Sequence, residues 1–280
     1  MAETHLPTLH PRARGKNRYV YAVRARRSGG ISVGINLDPQ KTCNFDCVYC
    51  EVIDRREIAK GTGRPEIAID DVARELAEEL ESRARDGGPS AADPVRDIAF
   101  AGDGEPSTFR DFLPLSRTLF DVRDAAGFHD IPLVLITNGS GLAREEMREA
   151  HDLFAARGGS FWIKLDAGTE SFYKTIARSA IPLERILANL TGAAKRHPVV
   201  VQSMFLRFRG EAPPGDEIAA WASRLAKAVE AGGRLSLVQV YTVARETMEP
   251  GVSPLAKAEL EVIAGAARAA VPGVPVETFV

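Results

Sequence analysis

Cys43, Cys47 and Cys50 of KTCNFDCVYC are the only cysteines among 280 residues. Their C-x3-C-x2-C spacing presents three thiolates from one short loop, and the chain holds no fourth cysteine for a closed site or a disulfide. A structural zinc or an ordinary four-iron cluster takes four protein ligands. Three leave a position open, as a catalytic centre requires. The trio reads as the ligands of a cubane iron–sulfur cluster whose fourth iron is reserved for a substrate or cofactor. Two further readings stand beside it: a zinc site completed by one of the five histidines, or incidental thiols.

Other residues with binding chemistry fall at the ends of β-rich runs. DIAFAG leads into Gly102-Asp103-Gly104-Glu105-Pro106. Small residues there let backbone approach a ligand, and Glu105 can accept a hydrogen bond from an ammonium group. The same stretch also reads as a turn in which Ser107 or Thr108 caps the next helix. Thr137-Asn138-Gly139 closes IPLVLIT, again with turn residues. In WIKLDAG, two-residue alternation puts Lys164 and Asp166 on one face with Trp162, opposite Ile163 and Leu165. Such a pair can meet a ligand's carbonyl, hydroxyl or anionic group, or can plug an interior as an ion pair, since a buried charge needs a partner. Gln202 and Met204, then Gln239 and Tyr241, with Thr242 and Arg245 just beyond, set polar side chains into apolar strands. They face a polar cavity or satisfy one another in the core. Tyr241 reads as pocket-lining, and a phenol can also donate a hydrogen atom to a carbon radical.

The elements that must position these residues follow from hydrophobic period. ISVGINLD is a strand ending at Pro39, where the cysteine loop begins. The charged stretch from Asp54 to Pro65 is a loop. A helix follows from Ile69 to about Arg85, with Val72, Leu76 and Leu80 on one face. Thereafter DIAFAG, IPLVLIT, SFWIKLDAG, VVVQSMFL and RLSLVQVYT are strands. They alternate with helices near 112–125, 143–156, 170–177, 183–195, 216–231 and 255–270, and VPVETFV closes the chain. Short β-rich runs joined by longer amphipathic helices predict parallel strands with right-handed crossovers. Six such units predict an α/β fold, a partial (β/α)6 TIM-like barrel, with the strands' carboxyl ends gathered at one mouth. Residues 31–280 are expected to form that domain, with 1–30 as a basic amino-terminal extension.

Composition bounds the function classes. A chain of 45% hydrophobic and 26% charged residues is globular with a substantial core. It has no apolar run of about eighteen residues that would span a membrane and no secretory signal at its start. With three unpaired thiols, a reducing cytoplasm is the expected compartment. Net charge is −2, so global attraction to nucleic acid is not indicated. Between Glu3 and Asp38, however, Arg12, Arg14, Lys16, Arg18, Arg24, Arg26 and Arg27 stand without an acidic residue. Such an arm contacts phosphates, or is a solvated tail, or pairs with carboxylates elsewhere.

The cysteine spacing, with Tyr49 at the aromatic position, resembles the radical S-adenosylmethionine (SAM) superfamily signature C-x3-C-x-aromatic-C. Together VYAVRARRSGGISVGINLDPQKTCNFDCVYC, FAGDGEPS, LITNG, WIKLDAGTESFYKTI and VQVYTVAR resemble the subgroup related to tRNA wybutosine-base-forming enzymes, over roughly residues 19–245. The resemblance implies a [4Fe–4S] cluster on Cys43, Cys47 and Cys50, and SAM chelating its fourth iron. It also implies that Glu105, with Gly102 and Gly104, binds the methionine amino group. Tyr49, Asn138, Lys164, Asp166, Gln202 and Gln239 would complete the cofactor pocket. Lys164 and Tyr241 would act on the substrate, with electrons from a flavodoxin- or ferredoxin-type donor. Reductive cleavage would give a 5′-deoxyadenosyl radical that abstracts hydrogen, from a nucleotide or RNA base in this subgroup. Wybutosine enzymes carry a second cluster on additional cysteines, which this chain lacks. A glycyl-radical-enzyme activating enzyme, which also manages with one cluster, is the alternative within this chemistry. A non-catalytic zinc- or cluster-binding module is the alternative outside it.

Overall fold

The computed structural model describes residues 17–25, 29–39, 41–52, 66–87 and 93–280. The expected loop over Asp54–Pro65 and basic residues Arg12, Arg14, Lys16, Arg26 and Arg27 lie outside these described residues. The chain divides into two compact units, one built from 12–43 with 55–162, the other from 44–54 with 163–280.

In the amino-terminal unit, strands β1 (Val20–Ala25), β2 (Gly30–Ile35), β3 (Val95–Phe100) and β4 (Leu133–Thr137) pair in that order. β2, β3 and β4 are parallel, while β1 pairs antiparallel with β2, from Val20 opposite Ile35 to Ala25 opposite Gly30. Helix α1 (Ile69–Arg85) buries Val72, Leu76 and Leu80, as the period predicts. Asp70 and Asp71 lie in its first turn and Arg83 and Arg85 in its last, complementing the helix dipole. Helices α2 (Phe112–Ala125) and α3 (Glu145–Ala156) follow β3 and β4. Phe100, Phe112, Phe120, Phe154 and Phe161 meet at ring-centroid distances of 4.9–6.1 Å and form the core.

Strand β1 lies within the stretch expected to be a basic extension. Its flanking arginines hide a run whose first three residues are buried. The buried carboxylate of Glu75 on α1 fastens its start, accepting the backbone N–H groups of Arg18 at 3.0 Å, Tyr19 at 2.7 Å and Val20 at 3.0 Å.

Strand β5 (Ser160–Lys164) begins in the first unit and ends in the second. In the carboxy-terminal unit, β6 (Val199–Met204), β8 (Leu235–Tyr241) and β10 (Val276–Phe279) are parallel neighbours. Helices α4 (Glu170–Ile176), α5 (Leu183–Arg196), α6 (Gly215–Glu230) and α7 (Lys257–Ala270) connect them. A separate antiparallel pair, β7 (Leu206–Phe208) with β9 (Val252–Pro254), is too short to leave a period in the sequence. Its β9 also carries a proline, which strands tolerate at their edges. Among the described residues, no helix is long and apolar enough to cross a membrane.

Candidate active site

In the amino-terminal unit the candidate residues follow β2, β3 and β4. Glu105 is buried, and its carboxylate collects the ends of two strands. Oε1 accepts from Ser107 N–H at 2.9 Å and from Thr137 Oγ1 at 2.5 Å; Oε2 accepts from Asn138 N–H at 2.7 Å. Burial lifts the Glu105 carboxyl above its ordinary value, against the opposing pull of the Ser107 and Thr137 side chains and of the Asn138 and Ser107 N–H groups.

Asn138 is thus brought to Glu105 by its backbone, while its side chain accepts from Ser140 N–H at 3.0 Å. Gly102 and Gly104 have φ of 131° and 81°. A Cβ on Gly104 would stand 2.4 Å from Asp38 Oδ2. The glycine is therefore required by Asp38 of this same unit, where the sequence suggested room for a ligand. Asp38 accepts from Thr42 Oγ1 at 2.6 Å, next in the chain to Cys43, and Asn36 Nδ2 donates to Asp103 at 2.8 Å. Tyr21 of β1 reaches the same turn, its hydroxyl donating to Ala101 O at 3.2 Å. Sequence reasoning gave no role to Tyr21 or Thr137, because each acts through contacts remote in the chain.

In the carboxy-terminal unit, Cys47 and Cys50 lie on a loop tied to the end of α4. Val48 N–H donates to Ile176 O at 2.8 Å and Asp46 N–H to Ala177 O at 3.2 Å, so the loop satisfies carbonyls that a helix end leaves open. Arg178 turns the chain there at φ 48°, and its guanidinium meets Glu249 at 2.9 Å and Asp46 at 3.9 Å. Past the third cysteine, Met248 N–H donates to Cys50 O at 3.2 Å and Arg245 pairs with Glu51.

Lys164 is the centre of the second group. Its ammonium lies 3.3 Å from Asp166 Oδ2, donates to Tyr241 Oη at 2.9 Å, and sits 4.8 and 5.4 Å from the ring centroids of Tyr49 and Tyr241. Asp166 is held in turn by the Tyr49 hydroxyl and by Met204 N–H at 2.7 Å. Burial alone would depress the Lys164 ammonium. Asp166 and Tyr241 outweigh that, Cys47 adds to them, and it stands above the ordinary lysine value. The Tyr49 phenol is pushed far up by burial first, then by Asp166 and Cys47. Gln202 Nε2 donates to Gln239 Oε1 at 2.7 Å across β6 and β8, while Gln202 Oε1 has no hydrogen-bond partner among the described residues.

The segment that follows Lys164 and carries Asp166 is clamped by α6, which sequence reasoning treated as an ordinary amphipathic helix. Glu217 accepts from Gly168 N–H and Thr169 Oγ1, each at 2.5 Å. Trp221 Nε1 donates to Leu165 O and Arg224 Nε to Gly168 O, each at 3.0 Å. A Cβ on Gly168 would lie 2.0 Å from Trp221 N.

The three cysteines are part-exposed and none is in a disulfide. No three His, Cys, Asp or Glu side chains among the described residues gather within metal-binding reach. The fit to an iron–sulfur centre therefore rests on donor chemistry. Three thiols from one loop match a four-iron cluster that keeps one iron for another ligand.

The comparisons agree with that chemistry. The model of the Radical SAM superfamily matches residues 37–212, more than half of the chain, and the chain belongs to that superfamily. The class uses a [4Fe–4S] cluster with SAM and takes its electron from a reductant.

The chain is 31% identical over 161 residues (58% of its length) to GTPase Obg of Brachyspira hyodysenteriae, covering 21% of that protein. It is 32% identical over 164 residues, again 58% of its length, to UPF0026 protein MJ1312 of Methanocaldococcus jannaschii, covering 45%. It thus spans less than half the length of these curated relatives. A radical SAM methyltransferase from Sphaerobacter thermophilus superposes with TM-score 0.61 at 14% identity, over 93% of this chain and 68% of that one. TYW1 with a lysine–pyruvate adduct bound superposes with TM-score 0.51 at 9% identity, over 90% and 84%. At such identities these likenesses establish the fold: the α/β partial TIM-like barrel expected from the six strand–helix units.

Proposed function

We propose that Cys43, Cys47 and Cys50 hold the [4Fe–4S] cluster, and that Gly102, Gly104, Glu105 and Asn138 receive the methionine end of SAM. Tyr49, Lys164, Asp166, Gln202, Gln239 and Tyr241 hold the remaining polar groups of cofactor and substrate. The substrate in this reading is a nucleotide or RNA base. When bound and reduced, cluster and cofactor supply a 5′-deoxyadenosyl radical able to take hydrogen from carbon.

The chain's own residues do the rest. The buried Glu105 carboxylate is an acceptor held in fixed geometry, suited to an ammonium donor. Lys164 donates to Tyr241 and faces Asp166 at 3.3 Å, over the rings of Tyr49 and Tyr241, with 20% of its side chain exposed. A charged ammonium on a part-exposed side chain is the observation that carries the substrate reading. It suits a base carbonyl or a phosphate oxygen, and Asp166 keeps the ammonium charged. The fold shared with TYW1 and the basic residues near the amino terminus point the same way. The electron is assigned to a flavodoxin- or ferredoxin-type donor.

The test is 5′-deoxyadenosine release by the anaerobically reconstituted enzyme, with and without bulk tRNA, short RNA or free nucleotides. Stimulation by one of these supports the reading. No stimulation, with a radical signal appearing on an added polypeptide, would transfer the chain to the activating enzymes.

A further inference from the structure

Tyr173 on α4 is a buried phenol, 4% exposed, whose hydroxyl has no hydrogen-bond partner among the described residues. An unpaired buried hydroxyl is destabilising, because the hydration it loses is not replaced. Native chains usually supply such a group with a partner, and where side chains do not, ordered water, a ligand or an ion does. Ser179 stands nearby but outside hydrogen-bond geometry, and its own Oγ accepts from Ile181 N–H at 3.1 Å.

The surroundings point to one partner. The Tyr173 ring packs edge-on against Phe45 at 5.9 Å between centroids. Phe45 lies in the cysteine loop between Cys43 and Cys47. One turn further along α4, Ile176 and Ala177 accept the N–H groups of Val48 and Asp46 on either side of Cys47. The phenol therefore rides on the helix turn that fastens the Cys47 backbone. Burial first, opposed by Ser179 and reinforced by the charge of Cys47, pushes it up to about 12, so at neutral pH it is a donor.

We propose that the Tyr173 hydroxyl donates a hydrogen bond to the sulfur edge of the bound cluster at Cys47 and so raises the cluster's reduction potential. The inference rests on the reading of the three cysteines as ligands. A donor at a ligand sulfur draws off negative charge and favours the reduced, more negative state.

The experiment compares wild type with Tyr173→Phe in the full chain, anaerobically reconstituted. It measures iron content, the midpoint potential by EPR-monitored titration, and the melting temperature of the metal-free protein. Both proteins are expected to bind about four irons. The variant's midpoint should fall by about 59 mV, a tenfold change in a one-electron reduction equilibrium. Its metal-free melting temperature should stay level or rise, because the lost hydroxyl had no partner there.

Equal iron with an unmoved midpoint overturns the proposal. So does a drop in metal-free melting temperature, which would reveal an internal partner. Should Tyr173→Phe load poorly, 3-fluorotyrosine incorporated at position 173 gives a stronger donor of nearly the same size. It should raise the midpoint, and no rise overturns the proposal. A wild-type chain that takes up no iron, or a single zinc, defeats the ligand reading and this inference with it. Loading with an unmoved midpoint defeats the inference alone.

Discussion

Glu105, buried, and Lys164, part-exposed, are ionisable groups set one in each unit, and the chain accommodates them by opposite means. Glu105 takes two backbone N–H groups and a hydroxyl, all at the ends of β3 and β4. Lys164 takes a carboxylate, a phenol and two ring faces, all from side chains. Backbone donors at strand ends cannot rotate away, so Glu105 is a fixed socket. Side-chain partners can exchange one hydrogen bond for another, so the Lys164 group can share its protons with whatever enters. A rigid cradle for an invariant cofactor and an adjustable surround for a reacting substrate call for these two arrangements.

The sharpest way to break the comparison is at the cysteines, which fall in both units. Cys43→Ala and Cys47→Ala should each reduce iron uptake and 5′-deoxyadenosine release to background. If only one does so, the two units do not contribute alike. Lys164→Met comes next, leaving Asp166 buried with only the Tyr49 hydroxyl and Met204 N–H. Turnover should drop by about 10²–10³, the range for losing a fixed electrostatic donor. Single-turnover kinetics would check this, and a drop below tenfold would reduce Lys164 to an interior plug.

Glu105→Gln replaces an acceptor-only group with one that presents N–H to N–H, and should weaken SAM about tenfold, by equilibrium binding. The same variant tests the socket by pH. The folded carboxyl lies above its ordinary 4.5, so the folded chain binds that proton more tightly than the unfolded one. The resulting stability is present below 4.5 and is lost as pH rises through the folded value. Denaturant titration of the metal-free protein should show that decline in wild type and a flatter profile in Glu105→Gln. Tyr241→Phe should have the smallest effect, about 0.5–1 kcal/mol in the free energy of turnover. It removes one hydrogen bond to a charge that keeps its carboxylate.

Much of this was legible before any coordinates. The helix over Phe112–Ala125 and the buried face of Val72, Leu76 and Leu80 follow from period alone. Lys164 and Asp166 share a face as alternation requires, although β5 ends at Lys164 and Asp166 lies beyond it. Strand β1 was hidden because its neighbours are arginines, and its anchor Glu75 is more than fifty residues away. Glu217 reads in sequence as an acidic first-turn residue of a surface helix. Only the approach of α6 to Gly168 makes it a buried cap. Tyr173 reads as one more apolar position on α4, and nothing local marks its hydroxyl as unpaired.

By itself the order of residues determined the donor set, three thiols in one loop, and the alternation of strand and helix that makes a parallel sheet. Both are local, since ligand spacing and hydrophobic period are written within a dozen residues. The partners of each charge were decided by tertiary structure alone: Met204 N–H on Asp166, Tyr241 on Lys164, Asn138 N–H on Glu105. Each of those hydrogen bonds joins residues dozens of positions apart, and a burial energy that depends on such a partner has no local trace for a sequence to carry.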